Sequence, residues 1–170
     1  MAERYFVRLE KEYLVFSAAH FITFNGNVCE RLHGHNYRVS CEVHGPLDEN
    51  SYVIDFIALR DTLRNLVDEL DHRVMLPTQH PAIRVTADDR EVTAVFEDRR
   101  WVFPRGDCVL LPVANTTAEL VARYLGLRLL DELEARTGTR PTFVRIGIDE
   151  NFGQWGFCEL GEPAEKTFAR

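Results

Sequence analysis

The chain has little of what marks a secreted, membrane-bound or basic protein. Its 170 residues hold only four cysteines, Cys29, Cys41, Cys108 and Cys158, and no Cys-x-x-Cys step. Thiols so scattered do not build a disulfide framework, so a reducing, cytoplasmic setting is expected. No apolar run approaches the length of a membrane-spanning helix, and the opening MAERYFVRLEKEY is charged and alternating, unlike a signal peptide. Positive charge is also scarce: 20 Lys and Arg against 27 Asp and Glu give a formal net charge of −7. That balance argues against nucleic-acid or anionic-membrane partners, and a polyanionic ligand would need a local basic cluster. Ten glycines and seven prolines are too dispersed to form a linker, and repeats are absent. A single domain spanning 1–170 is therefore expected, with 45% hydrophobic residues to fill one core.

What is present is strongly patterned. Tyr5–Phe21 and Asn36–His44 read as strands that pair antiparallel across Asn25-Gly26-Asn27, and the second alternates Tyr37, Val39, Cys41 and Val43 onto one face. Asp55 stands at an N-cap before FIALRDTLRNLVDELDH. There Phe56, Leu59, Leu63, Leu66, Val67 and Leu70 form one helical stripe that ends near Asp71-His72. Ala82–Val113 reads as a meander of AIRVTA, EVTAVFED and WVFP, with DDR and RR at its turns. A second helix starts at Asn115-Thr116, with Thr116 and Glu119 at capping-box spacing, and stops at Gly138. TFVRIGIDE and QWGFCEL follow as strands about Asn151-Phe152-Gly153, and the polar tail GEPAEKTFAR is expected to fray. This order implies an α+β fold, with two helices on one face of an antiparallel sheet and the other face free for a partner.

The chemistry concentrates in CERLHGHNY, Cys29–Tyr37. Residues two apart on a strand share a face, so His33 and His35 address one point, and His20 ends the neighbouring strand. Three imidazoles with an open position make a catalytic zinc centre, whereas an isolated His-x-His is more often a solvent-bonded surface pair. Gly34 between the two, His20 across the hairpin and adjacent Cys29 and Glu30 favour the metal. Copper and iron fit less well, because nothing points to redox chemistry and the set lacks a facial-triad carboxylate. Cys29 has two roles open to it: a fourth ligand that closes the site, or a free thiol acidified by the metal and acting as base or nucleophile. Asp71 beside His72 has the pattern of a proton shuttle, although by itself it fits a histidine against a helix C-terminal dipole better. Glu150, at a strand end, could accept two parallel hydrogen bonds from an amino-pyrimidinone edge or be a solvated loop carboxylate. Thr117 and Glu119 read equally as ordinary helix-start residues.

Taken in order, FSAAH at 16–20, CERLHGHNY at 29–37, LDH at 70–72, TAE at 117–119 and DE at 149–150 resemble the 6-pyruvoyl-tetrahydropterin and 6-carboxy-tetrahydropterin synthase family. The resemblance runs from about Phe16 to Glu159. It implies a tunnelling fold (T-fold), in which sheets of several subunits close into a barrel, stacked as a hexameric dimer of trimers with interfacial sites. It implies zinc on His20, His33 and His35, a catalytic Cys29, and a proton-transfer pair in Asp71 and His72. Pterin contacts fall to Glu150, Thr117 and Glu119. The implied partner is a small-molecule pterin, 7,8-dihydroneopterin triphosphate.

Two spacings divide the branches. Cys29 lies four residues before His33, which resembles the carboxy-forming branch that feeds queuosine-type deazapurines. Glu30 lies three before it, which resembles the Glu-x-x-His-Gly-His variant linked to aldolase-like cleavage giving 6-hydroxymethyl-dihydropterin. With both residues present, two reactions stay open, and a non-catalytic pterin- or metal-binding module is a third reading. The chain departs from the family pattern in a strand-rich insertion at about 82–112, and in Ala118 where a hydroxyl residue is often seen.

Overall fold

Strand β1 (Tyr5–His20) and strand β4 (His33–Gly45) pair antiparallel from Tyr5 opposite Gly45 to His20 opposite His33. The structure is a computed structural model and describes residues 3–26 and 28–162. Asn27 of the expected turn, and the expected fraying tail from residue 163, lie outside the described residues. Between the long strands, Thr23–Phe24 (β2) and Val28–Cys29 (β3) form a short two-stranded ribbon. The second long strand starts three residues before the expected Asn36, because His33, Gly34 and His35 pair with His20, Ala19 and Ala18.

The β1–β4 register breaks once. Glu10 stands opposite Ser40 and Val15 opposite Arg38, so five residue steps on β1 span two on β4. Three extra residues are an odd number, and an odd slip exchanges the faces of every residue that follows. Leu9 is buried before the slip; Leu14, Phe16, Ala18 and His20 are buried after it. His20 therefore shares a face with Tyr37, Val39, Cys41 and Val43 of β4.

Helix α1 (Phe56–Asp68) begins where Asp55 accepts the amides of Ile57 at 2.7 Å and Ala58 at 3.3 Å. It ends before Asp71-His72, earlier than expected, with Glu69 at its C-cap. After it come β5 (Arg73–Pro77), β6 (Arg84–Ala87), β7 (Glu91–Phe96), β8 (Arg99–Pro104), a single 3₁₀ turn and β9 (Cys108–Leu111). Helix α2 (Ala118–Thr137) stops at Gly138, whose φ of 72° is the left-handed C-cap conformation. The chain closes with β10 (Phe143–Asp149) and β11 (Trp155–Gly161).

The main sheet has the order β11-β10-β4-β1-β5-β9. Its first four strands are antiparallel, but β5 and β9 join in parallel, a departure from the all-antiparallel expectation. RVMLP and CVLL are too short and too uniformly apolar for alternation to reveal their partners. Both helices pack on one face, where Leu59, Leu63, Leu66, Leu125, Leu129 and Leu133 meet Phe16, Val39, Ile146 and Ile148. On the opposite face Arg8, Glu42, Arg145 and Glu159 stand side by side across four strands, alternating in charge. No helix among the described residues is long and apolar enough to cross a membrane.

The expected meander forms as a separate three-stranded sheet, β6-β7-β8. Its turn between β7 and β8 is at Glu97-Asp98 rather than Arg99-Arg100, which belong to β8. A second core forms where Ile83, Val92, Ala94 and Phe96 pack on Phe21, Leu76 and Cys108. The expected Thr116–Glu119 capping box is replaced by an N-cap at Thr117 without a side-chain cap bond, and the Thr116 hydroxyl donates to the Phe21 carbonyl.

Because Asp55 satisfies two amides that otherwise lack intrahelical partners, Asp55→Ala should cost about 1 kcal/mol in urea denaturation, and Asp55→Asn much less.

Candidate metal centre and active site

His20, His33 and His35 lie on one face of the β1–β4 pair, and their nearest ring nitrogens are all within 4.8 Å of one another. His20 is 1% exposed, and its Nδ1 sits 2.8 Å from the carbonyl of Thr116. A carbonyl accepts only, so Nδ1 carries the hydrogen and the Nε2 lone pair faces the other two rings. His33 is arranged alike, with Nδ1–H donating to the Arg31 carbonyl at 2.9 Å. The Nε2 of His20 is buried without a hydrogen-bond partner, which is costly for a polar atom unless something else engages it. Burial, reinforced by the neighbouring His33 and His35, holds His20 down to about 4 despite the Thr116 carbonyl, so the imidazole is neutral.

Two carboxylates face these lone pairs. Oε1 of Glu150 is 3.4 Å from Nε2 of His20 and 3.8 Å from Nε2 of His35, and Oε2 of Glu30 is 3.9 Å from Nε2 of His33. Three imidazoles whose Nε2 atoms converge beside two carboxylates are a donor set suited to a divalent cation. Cys29 is outside the cluster of ligand atoms, so the closed four-ligand arrangement does not form. Its Sγ–H donates to the Glu30 carbonyl at 3.6 Å. Burial pushes the Cys29 thiol up, Arg99 draws it down, and Glu30 opposes that draw. The expected acidification is thus not supplied by the protein's own groups taken together.

Asp71 and His72 follow the helix in a turn where His72 has φ 57°, left-handed for a non-glycine residue. Leaving the helix lets adjacent side chains meet, and Nδ1–H of His72 donates to Oδ2 of Asp71 at 2.8 Å. The other carboxylate oxygen accepts the Ser17 amide at 2.7 Å, and this bond is the main cause holding Asp71 below its usual range. His72 itself is 82% exposed. It lines an open groove with Ser17, Gly34, His35 and Asn36.

Glu150 begins the hairpin turn between β10 and β11. Asp149, buried beside it, pairs with Arg38 and accepts the Gly153 amide at 2.9 Å, which fixes that turn. Glu150, Thr117 and Glu119 line one cleft of about 460 Å³, while Glu150 and His35 line another of about 360 Å³. Gly156 allows this closeness, since a Cβ there would meet Cβ of Ala118 at 2.7 Å and the Glu119 amide at 3.0 Å.

Sequence reasoning missed Thr116, whose carbonyl sets the His20 tautomer, because a main-chain acceptor carries no residue signature. It also left aside Tyr37, two residues beyond His35 on the same face, which the strand period could have found. Burial, with Glu150 opposite, pushes the Tyr37 hydroxyl up, so it stays protonated at neutral pH.

The family profile described as 6-pyruvoyl tetrahydropterin synthase matches residues 9–160. A Methanocaldococcus jannaschii protein provisionally named 6-carboxy-5,6,7,8-tetrahydropterin synthase is 32% identical over 146 residues, 85% of this chain and 88% of its own length. The solved Plasmodium falciparum 6-pyruvoyl tetrahydropterin synthase superposes with a TM-score of 0.85 at 28% identity, over 95% of this chain and 100% of its own. A Plasmodium vivax 6-pyruvoyltetrahydropterin synthase superposes at 0.84 with 26% identity and the same coverage. That Plasmodium vivax protein is a variant in which a catalytic glutamate is replaced by alanine.

The displaced His20 pKa has a consequence for stability. Unfolded, the imidazole takes up a proton near 6.5; folded, it does so only near 4. Metal-free protein should therefore lose stability as pH falls from about 6.5 toward 4, by roughly 1.4 kcal/mol for each pH unit in which only the unfolded imidazole is charged. In chelator, the urea midpoint should drop between about pH 7 and pH 5, and His20→Gln should flatten that drop. An equal slope in both proteins would contradict the assignment.

Proposed function

The chain belongs to the 6-pyruvoyl tetrahydropterin synthase family, and from this membership and its histidine cluster we propose a zinc-dependent lyase of 7,8-dihydroneopterin triphosphate, of the 6-carboxy-tetrahydropterin type. The observation that carries the proposal is the unpartnered, buried Nε2 of His20, aimed with those of His33 and His35 at one point. These three residues would hold the ion. When bound, zinc supplies Lewis acidity toward the side-chain hydroxyls of the substrate.

The remaining steps belong to the chain's own groups. Glu150 is the candidate anchor for the amino-pyrimidinone edge, accepting two hydrogen bonds, with Thr117 and Glu119 along the same cleft. Its carboxylate now leans on His20 and His35, so anchoring requires it to turn outward. Cys29 Sγ, once deprotonated, takes a proton from the substrate side chain. Asp71 holds the proton on Nδ1 of His72 and leaves Nε2 to relay one. Triphosphate then departs, and in the carboxy branch a water molecule adds across the side-chain carbon–carbon bond that breaks, its oxygen staying in the carboxylate as acetaldehyde leaves. This reading places the product in deazapurine synthesis of the queuosine type, in the cytoplasm.

A second reading rests on Glu30. Its carboxylate is 3.9 Å from Nε2 of His33, and the Plasmodium vivax relative has a catalytic glutamate. Glu30 would then act as the base of an aldolase-like cleavage of dihydroneopterin.

Incubating zinc-loaded protein with each pterin and identifying the products tests both readings. Cys29→Ala should abolish triphosphate release and Glu30→Ala the aldolase-like product, each by about a hundredfold or more. His33→Ala should lose stoichiometric zinc and both reactions; retention of zinc would refute the ligand set. Absence of any turnover by the loaded protein would favour a binding module.

The uncovered sheet face with its alternating charge row supports assembly of several copies into a barrel, as a hexameric dimer of trimers. Sedimentation should give a hexamer; a monomer at micromolar concentration would remove that part of the proposal.

A further inference from the structure

The inserted sheet β6-β7-β8 reaches the candidate site through one side chain. Arg99, the first residue of β8, donates Nη1–H to the carbonyl of Cys29 at 2.6 Å and Nη2–H to the carbonyl of Glu30 at 2.9 Å. Successive carbonyls of an extended strand point to opposite sides, so one guanidinium meets both only where the chain bends. The ribbon strand β3 indeed ends at Cys29. The bend is followed by the Glu30 carboxylate near His33 and by the Cys29 thiol donating to the Glu30 carbonyl. That carbonyl therefore serves Arg99 and Cys29 together.

Arg99 is itself well anchored. Its guanidinium lies 4.6 Å from the ring centroid of Trp101, and Trp101 stacks on Phe21 with centroids 4.4 Å apart and planes at 17°. Phe21 is fully buried and directly follows His20. A second tie comes from His80, whose Nδ1 accepts the amides of Ala82 and Ile83, so that Nε2–H donates to Oγ1 of Thr23 at 2.7 Å. The ribbon carrying Cys29 is thus fastened at both strands, by Arg99 of β8 and by His80 in the segment leading into β6, and through Phe21 to the strand that carries His20.

We propose that Arg99 is the positioning residue of this site, a planar fork from the inserted sheet that fixes the backbone of Cys29 and Glu30 relative to the three histidines. Arginine suits this task, since two parallel donors grip two acceptors at once, whereas lysine offers a single rotating head group. The charge has its own effect. When Cys29 loses its proton, the Glu30 carbonyl that accepted the S–H faces an anion, and a guanidinium on the same carbonyl offsets that repulsion.

The inference rests on the proposed lyase reading for its kinetic readout, and a second readout is independent of it. In zinc-loaded full-length protein, Arg99→Lys and Arg99→Ala are compared with wild type. The measurements are kcat and KM, zinc content, Tm, and the pH profile of Cys29 alkylation by iodoacetamide, followed on the Cys29 peptide by mass spectrometry. In Arg99→Lys, kcat should fall roughly ten- to hundredfold with KM within about twofold, zinc and Tm being unchanged. In Arg99→Ala the alkylation profile should move to higher pH. Wild-type kinetics and alkylation in both variants would overturn the proposal. So would a loss of kcat that appears only together with lost zinc or lowered Tm, which would make Arg99 a support of the fold alone. If wild-type protein turns over neither pterin, the lyase reading fails. The alkylation profile then decides the role of Arg99, a shift supporting it and no shift overturning it.

Discussion

The register between β1 and β4 is the constraint on which the rest of the site depends. His20 stands directly opposite His33, and three extra residues between Glu10 and Val15 bring it onto the same face as His33 and His35. Because strand faces alternate, an even slip would point the imidazole away from its partners. The slip is stabilised from the core, since the same change of parity buries Leu14 and Phe16 beneath the helices. Packing of the hydrophobic face and convergence of the imidazoles are therefore one event, and a change that loosens either loosens both.

Given that register, the surroundings of His20 determine its chemistry. Burial alone would favour a neutral ring, and the Thr116 carbonyl determines which nitrogen keeps the hydrogen. The outcome is a buried lone pair with no hydrogen-bond donor among the described residues, an arrangement costing about 1–3 kcal/mol unless a ligand engages it. Glu30 and Glu150 make that location negative, which disfavours an anion and favours a cation.

The candidate reactive groups come from segments that are not themselves regular. Cys29 and Glu30 lie where a two-residue strand gives out, Asp71 and His72 in a left-handed turn, and Glu150 at a hairpin turn. Each of these places is held by a neighbour: Arg99 for the first, the Ser17 amide and carbonyl for the second, and the Arg38–Asp149 pair for the third. Irregular segments carry these candidate groups while the strands and the β6-β7-β8 sheet supply the rigidity.

Much of this was legible in the residues themselves. Alternation through HGHNY placed His33 and His35 on one face, Asp55 and its apolar stripe marked α1, and the β6-β7-β8 meander was visible as three β-rich runs. Local periodicity reports what a segment does with its own neighbours, which is why these elements could be read. The parallel pairing of RVMLP and CVLL, the odd slip in β1, the Thr116 carbonyl, the inward lean of Glu150 and the reach of Arg99 could not be read in that way. Each depends on residues distant in sequence: Arg99 from Cys29, Thr116 from His20, Glu150 from both histidines. The Thr116–Glu119 pattern even misled, because the Thr116 hydroxyl is drawn to Phe21 once β1 packs beside it. The sequence by itself thus determined which side chains are available for chemistry. Only the tertiary structure decided which lone pairs meet, because that depends on register and burial set across the sheet.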